Sequence, residues 1–103
     1  MWEKGRQGTG YLKRILFQNS FSDCYLIKYP DKTFIPKHVD NVDGKRHFRL
    51  NIVLKKPLSG GIFKCEKSIL HTPRIILFRP DKYSHELTPV EGERLVFSLG
   101  LAI

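Results

Sequence analysis

The sequence predicts an all-β domain, a sandwich, barrel or jelly roll of about eight short strands. Stretches rich in β-branched and aromatic residues recur along the chain, separated by Gly, Pro, Asn and Asp. No window of about 11 residues repeats convincingly with the helical period. The 103 residues also make one domain, with no room for a second core.

The elements follow in order. Residues 1–22 read as an N-terminal arm and support element, and residues 23–103 as the core. Within the arm, Tyr11 to Phe17 is β-rich, although Tyr11 to Gln18 also suits a short helix, because Leu12, Ile15 and Leu16 fit that spacing. Cys24 to Tyr29 alternates, placing Tyr25, Ile27 and Tyr29 on one face. Pro30-Asp31-Lys32 is a turn. Phe34 to Asp40 is extended, since Pro36 opposes a helix. His47 to Leu54 is the longest strand candidate, followed by a turn at Pro57 to Gly61 and a strand at Ile62 to Cys65. Ile69-Leu70, Arg74 to Phe78, Ser84 to Leu87 and Arg94 to Ile103 complete the set.

Composition removes several function classes. No apolar run approaches the roughly 18 residues of a membrane span. Met1 to Arg6 lacks the apolar stretch of a secretory signal, so a cytoplasmic protein without a membrane partner is expected. Cys24 and Cys65 are expected to stay reduced, and neither has a partner at zinc-finger spacing. The net charge of +8, from 18 basic and 10 acidic residues, suits either a polyanionic partner or a solvated surface.

The chemistry gathers at the histidines. His38 lies two residues before Asp40, and on extended backbone such residues point the same way. One strand end thus aims an imidazole and a carboxylate at a common point. A second histidine from elsewhere completes the two-histidine, one-carboxylate face that suits non-haem iron(II). His85, in S-H-E-L-T-P-V, is the candidate. Nine residues on, Arg94 opens a strongly apolar strand. A guanidinium in that setting needs an anionic partner, and a carboxylate supplies one through two parallel hydrogen bonds.

Tyr29 to Ser98 resembles the Fe(II)/2-oxoglutarate dioxygenases, in particular their prolyl-4-hydroxylase-like branch. The matching pieces are K-Y-P-D, H-V-D-N at His38 to Asn41, R-L-N-I-V-L at Arg49 to Leu54, Gly60-Gly61, H-E-L-T-P-V at His85 to Val90, and G-E-R-L-V-F-S at Gly92 to Ser98. They keep the family's order over some 70 of the 103 residues.

The resemblance implies a double-stranded β-helix and an oxygenase that consumes 2-oxoglutarate and O2, releasing succinate and CO2. His38, Asp40 and His85 would bind Fe(II). Arg94 would hold the distal carboxylate of 2-oxoglutarate, assisted by Tyr29 and by Ser98, four residues on from Arg94 along the same face. Asn51 is a further cosubstrate contact. Val96 departs from the family, many of whose members carry Ser or Thr there. Only 44 residues separate Asp40 from His85, so the usual substrate-shaping insert is minimal.

Substrate recognition falls to the loops. The basic, glycine-rich arm containing Arg6 and Tyr11, and the loop Asn41 to Arg46, are the candidate contacts. A peptidyl side chain is the expected substrate. Alternatives are a nucleotide or nucleic acid, and a non-catalytic jelly-roll binding module. His47 and His71 are expected to be surface or packing residues.

Overall fold

The computed structural model describes residues 2–4, 10–39 and 44–103, with backbone alone for residues 3 and 4. Its strands are β1 (Glu3–Lys4), β2 (Leu12–Gln18), β3 (Ser22–Tyr29), β4 (Ile35–His38), β5 (His47–Lys55), β6 (Ser59–Gly60), β7 (Phe63–Cys65), β8 (Leu70–His71), β9 (Ile75–Phe78), β10 (His85–Leu87), β11 (Val90–Glu91) and β12 (Arg94–Ala102). There is no helix among the described residues. A seven-stranded sheet in the order β1-β2-β3-β12-β5-β9-β8 is accompanied by a three-stranded sheet, β4-β10-β7, and a two-stranded one, β11-β6. Every pairing is antiparallel, so the fold is an all-β jelly roll.

Most expected strands lie within a residue or two of their observed bounds. The additional ones are two-residue pairings, too short to show alternation. The possible helix over Tyr11 to Gln18 is corrected: Leu12–Gln18 is β2, hydrogen-bonded to β3 with a bulge between Ile15 and Phe17. Helical spacing stabilises a helix only if its apolar stripe is covered. Here Ile15, Leu16 and Phe17 stay exposed, while edge pairing with β3 satisfies the backbone.

The central strand β12 organises the interior. Arg94, Val96, Ser98 and Gly100 point inward, alternating with Leu95, Phe97, Leu99 and Leu101 on the outer face. Registration with β3 and β5 sets out inner rows: Arg94 beside Tyr29; Val96 between Ile27 and Val53; Ser98 between Tyr25 and Asn51; Gly100 between Asp23 and Arg49. Val96 and Val90 are fully buried and pack with Tyr29, Ile35 and Leu87. Burying each such side chain contributes about 1.5–3 kcal/mol. On the outer face Leu99 and Leu101 stay about 40% exposed.

Gly60 is sterically required, and Gly100 leaves room for a neighbouring side chain. Gly60 has φ +66°, and a Cβ there would lie 2.1 Å from the Pro89 carbonyl oxygen. Its absence lets β6 close against β11. At Gly100 a Cβ would lie 2.3 Å from Arg49 Nη2. Cys24 and Cys65 are free thiols, and burial pushes both thiol pKa values up.

Candidate active site

His38 ends β4 and His85 begins β10, and the antiparallel pairing places them opposite each other. Their ring centroids are 4.3 Å apart. His38 Nδ1 lies 2.7 Å from the Pro36 carbonyl oxygen, and His85 Nδ1 lies 3.1 Å from that of Tyr83. Both contacts reach back two residues along the strand. Donation from Nδ1–H to a carbonyl assigns the tautomer and puts each lone pair on Nε2, the arrangement of metal-binding histidines. Phe78 meets the His85 ring edge-on at 5.2 Å, and Phe63 packs at 6.0 Å. His85 is buried. The donor chemistry therefore fits a transition metal. Asp40 lies outside the described residues, among which no group of three or more metal-ligating side chains forms.

The two histidines open on a cavity of about 530 Å3. Ile27, Ile35, Phe63 and Leu87 make its apolar walls, while Tyr11, Tyr29, Asn51 and Arg49 supply polar groups. Tyr29 is buried, and burial, outweighing the nearby Arg94 guanidinium, pushes its pKa up to about 12. Its phenol therefore remains a neutral O–H donor at ordinary pH.

The other expected residues divide. Arg94 faces inward and is only 5% exposed. Burial lowers its pKa against a hydrogen bond to Tyr29, and its Cζ is 5.3 Å from the Tyr29 ring centroid. No carboxylate among the described residues lies in salt-bridge reach of it. Arg94 does not line the two-histidine cavity. It lines a neighbouring space of about 330 Å3 with Lys56, His71 and Arg74, and Tyr29 stands on the histidine side. Ser98 shares Arg94's face but is fully buried, and its hydroxyl donates to Asn51 Oδ1 at 2.6 Å. Ser98 lines neither cavity. Arg46 is exposed and pairs through its backbone with Ile103. Arg6 lies outside the described residues.

Three basic residues on the cavity wall were not expected there from the sequence. Arg49 is the only guanidinium on the histidine cavity's wall among the described residues, and His47 and Lys13 line it too. His47, expected at the surface or in packing, sits with Nε2 3.3 Å from Arg49 Nη2. Arg49 Nη1 donates to Ser98 Oγ at 2.6 Å, and Nη2 donates to Asp23 Oδ1 at 2.7 Å. A signal existed: His47, Arg49, Asn51 and Val53 alternate on one strand, so assigning Asn51 inward assigns the others inward.

No family model and no curated protein matches the sequence. Solved structures do. A prolyl-4-hydroxylase from Pseudomonas putida aligns over 97% of this chain and 76% of its own, at 16% identity and TM-score 0.75. KdgF from Halomonas sp. aligns over 98% and 86%, at 16% identity and TM-score 0.68. A 2OG-Fe(II) oxygenase family oxidoreductase from Burkholderia pseudomallei aligns over 93% of this chain, at 19% identity and TM-score 0.59, but this chain spans 46% of that one. At these identities the shared property is the fold, one that oxygenases and other jelly-roll proteins both use.

Proposed function

We propose that this chain is an iron(II)- and 2-oxoglutarate-dependent oxygenase. The observation that carries the reading is the cross-strand pair His38 and His85, each with Nδ1 held by the carbonyl two residues earlier. With Asp40 as the expected third ligand, this donor set suits iron(II) with coordination positions left for ligands. Likeness in fold to a prolyl-4-hydroxylase and to a 2OG-Fe(II) oxygenase family member supports it.

The bound group would supply the oxidation: O2 and 2-oxoglutarate are consumed, succinate and CO2 leave, and one oxygen atom enters a substrate C–H bond. The chain's residues would orient and insulate that chemistry. The Pro36 and Tyr83 carbonyls fix the imidazole rings. Ile27, Ile35, Phe63 and Leu87 keep the cavity wall dry. Tyr29 would donate a hydrogen bond from its neutral hydroxyl to the cosubstrate's distal carboxylate, and the Arg94 guanidinium behind it would offset that carboxylate's own negative charge. Asn51 accepts the Ser98 hydroxyl at its Oδ1 and lines the cavity beside it.

A peptidyl side chain is the proposed substrate class, on the prolyl-4-hydroxylase likeness. The charge of +8, with Lys13 on the cavity wall, favours a nucleic-acid substrate as the second reading. Binding to oligonucleotides that is absent even at low salt removes the second reading.

The test is anaerobic titration with iron(II) and 2-oxoglutarate. The wild type should develop a weak visible charge-transfer band, and His38→Ala should not. A wild type that stays colourless at saturating metal and cosubstrate refutes the proposal.

A further inference from the structure

We infer that Arg49 binds the carboxylate adjacent to the keto group of the 2-oxo acid, at the opposite end of the cosubstrate from Tyr29 and Arg94. This rests on the oxygenase reading above and adds a contact to it.

The two-histidine cavity has two polar ends. Tyr29, Ile35 and Leu87 line one, next to Arg94 in its row; His47 and Arg49 line the other, with Arg49 three rows further along β12, beyond the rows of Val96 and Ser98. A linear dicarboxylate carries acids at both ends and needs a donor for each. Arg49 is the cation built for the second position. Ser98 Oγ and Asp23 Oδ1 each take one of its hydrogens, and Tyr25 lies under its guanidinium at 5.2 Å.

Gly100 completes the seat. A Cβ there would meet Arg49 Nη2 at 2.3 Å and Cζ at 2.8 Å, so the strand carries hydrogen where the guanidinium lies. A guanidinium has five N–H donors. The contacts to Ser98, Asp23 and His47 occupy at most three, on Nη1 and Nη2. Nε and the second Nη1 hydrogen are left for a ligand. A structural ion pair would not need to sit on a cavity wall. Arg49 does, with its side chain 13% exposed.

The experiment is calorimetric titration of the Mn(II)-loaded protein, without O2, using two ligands. One is 2-oxoglutarate. The other is 2-oxopentanoate, which keeps the acid beside the keto group and replaces the distal carboxylate by a methyl group. Because Arg49→Gln strips Asp23 of its cation and so weakens the fold, the double variant Asp23→Asn/Arg49→Gln, which exchanges both charges for amides, is measured beside it. Charge-assisted hydrogen bonds of this kind correspond to roughly 10- to 100-fold in affinity.

The expected result is that loss for both ligands in the double variant, with Mn(II) affinity within about twofold of wild type. Asp23→Asn alone, which leaves Arg49 its full charge, should bind both ligands as tightly as wild type or more tightly. A loss confined to 2-oxoglutarate would place Arg49 on the distal carboxylate and overturn the inference. So would equal weakening by Asp23→Asn and the double variant, which would make Arg49 only a structural partner. A wild type that takes up no Mn(II) would instead remove the oxygenase reading itself, and this inference with it.

Discussion

Arg49 and Arg94 are both arginines on the inner face of the same sheet, yet their surroundings are opposite. Arg49 is held by a carboxylate, a serine and a glycine-shaped seat. Arg94 is more deeply buried, rests on Tyr29, and has no carboxylate within reach among the described residues. The difference separates two uses of a buried cation. A paired guanidinium contributes to the fold's own electrostatic balance and can still offer its remaining N–H groups to a ligand. One without an acid carries a desolvation cost that a ligand's carboxylate can offset.

The largest effect should come from breaking the paired one. Arg49→Met leaves Asp23 without its cation, and chemical denaturation should show a loss of about 3 kcal/mol. Adding Asp23→Asn should restore more than half of it. If the single and double variants are equally unstable, the ion pair is not what Arg49 contributes.

Next in size is the alkaline limb. Tyr29's pKa is raised to about 12 from 10.0. A raised folded pKa means the contribution is complete below the unfolded value and is lost as pH climbs through the folded one. Between those limits the unfolded chain releases the proton more readily, so stability should fall by about 2.5 kcal/mol. Tyr29→Phe should lack that part of the decline when both proteins are melted across the range.

The smallest effect, and the one of opposite sign, belongs to Arg94. Arg94→Met removes a buried charge that has no acidic partner among the described residues, and should leave the fold between unchanged and about 1 kcal/mol more stable. Its 2-oxoglutarate affinity should fall in the same protein. A destabilisation above about 1 kcal/mol would erase the contrast between the two arginines.

The contrast also marks how far the sequence was legible. His38 and Asp40 are two residues apart, so a shared direction is what extended backbone alone leads one to expect, and Asp40 itself lies outside the described residues. Long alternating strands such as β5 and β12 declared themselves, and so did the inward face of Arg94. Which cavity Arg94 touches did not, because a strand's period assigns a side of the sheet and not a depth beneath it. Arg49 went unread for a different reason. Its partners Asp23 and Ser98 lie on two other strands, 26 and 49 residues away in the chain, and become neighbours only through the β3-β12-β5 register. Strand β2 was ambiguous because three apolar residues fit both periods, and only the available edge of β3 decided between them.

The outer face of β12 has a consequence for behaviour in concentrated solution. Leu99 and Leu101 present a greasy strip to water, and contacts between such strips on different copies would remove it from water. The surplus of +8 opposes that approach by mutual repulsion. Repulsion of this kind reaches about 10 Å at 0.1 M salt and about 3 Å at 1 M. Colloidal stability of the chain is therefore tied to ionic strength, and concentrated salt brings the strips within reach of one another.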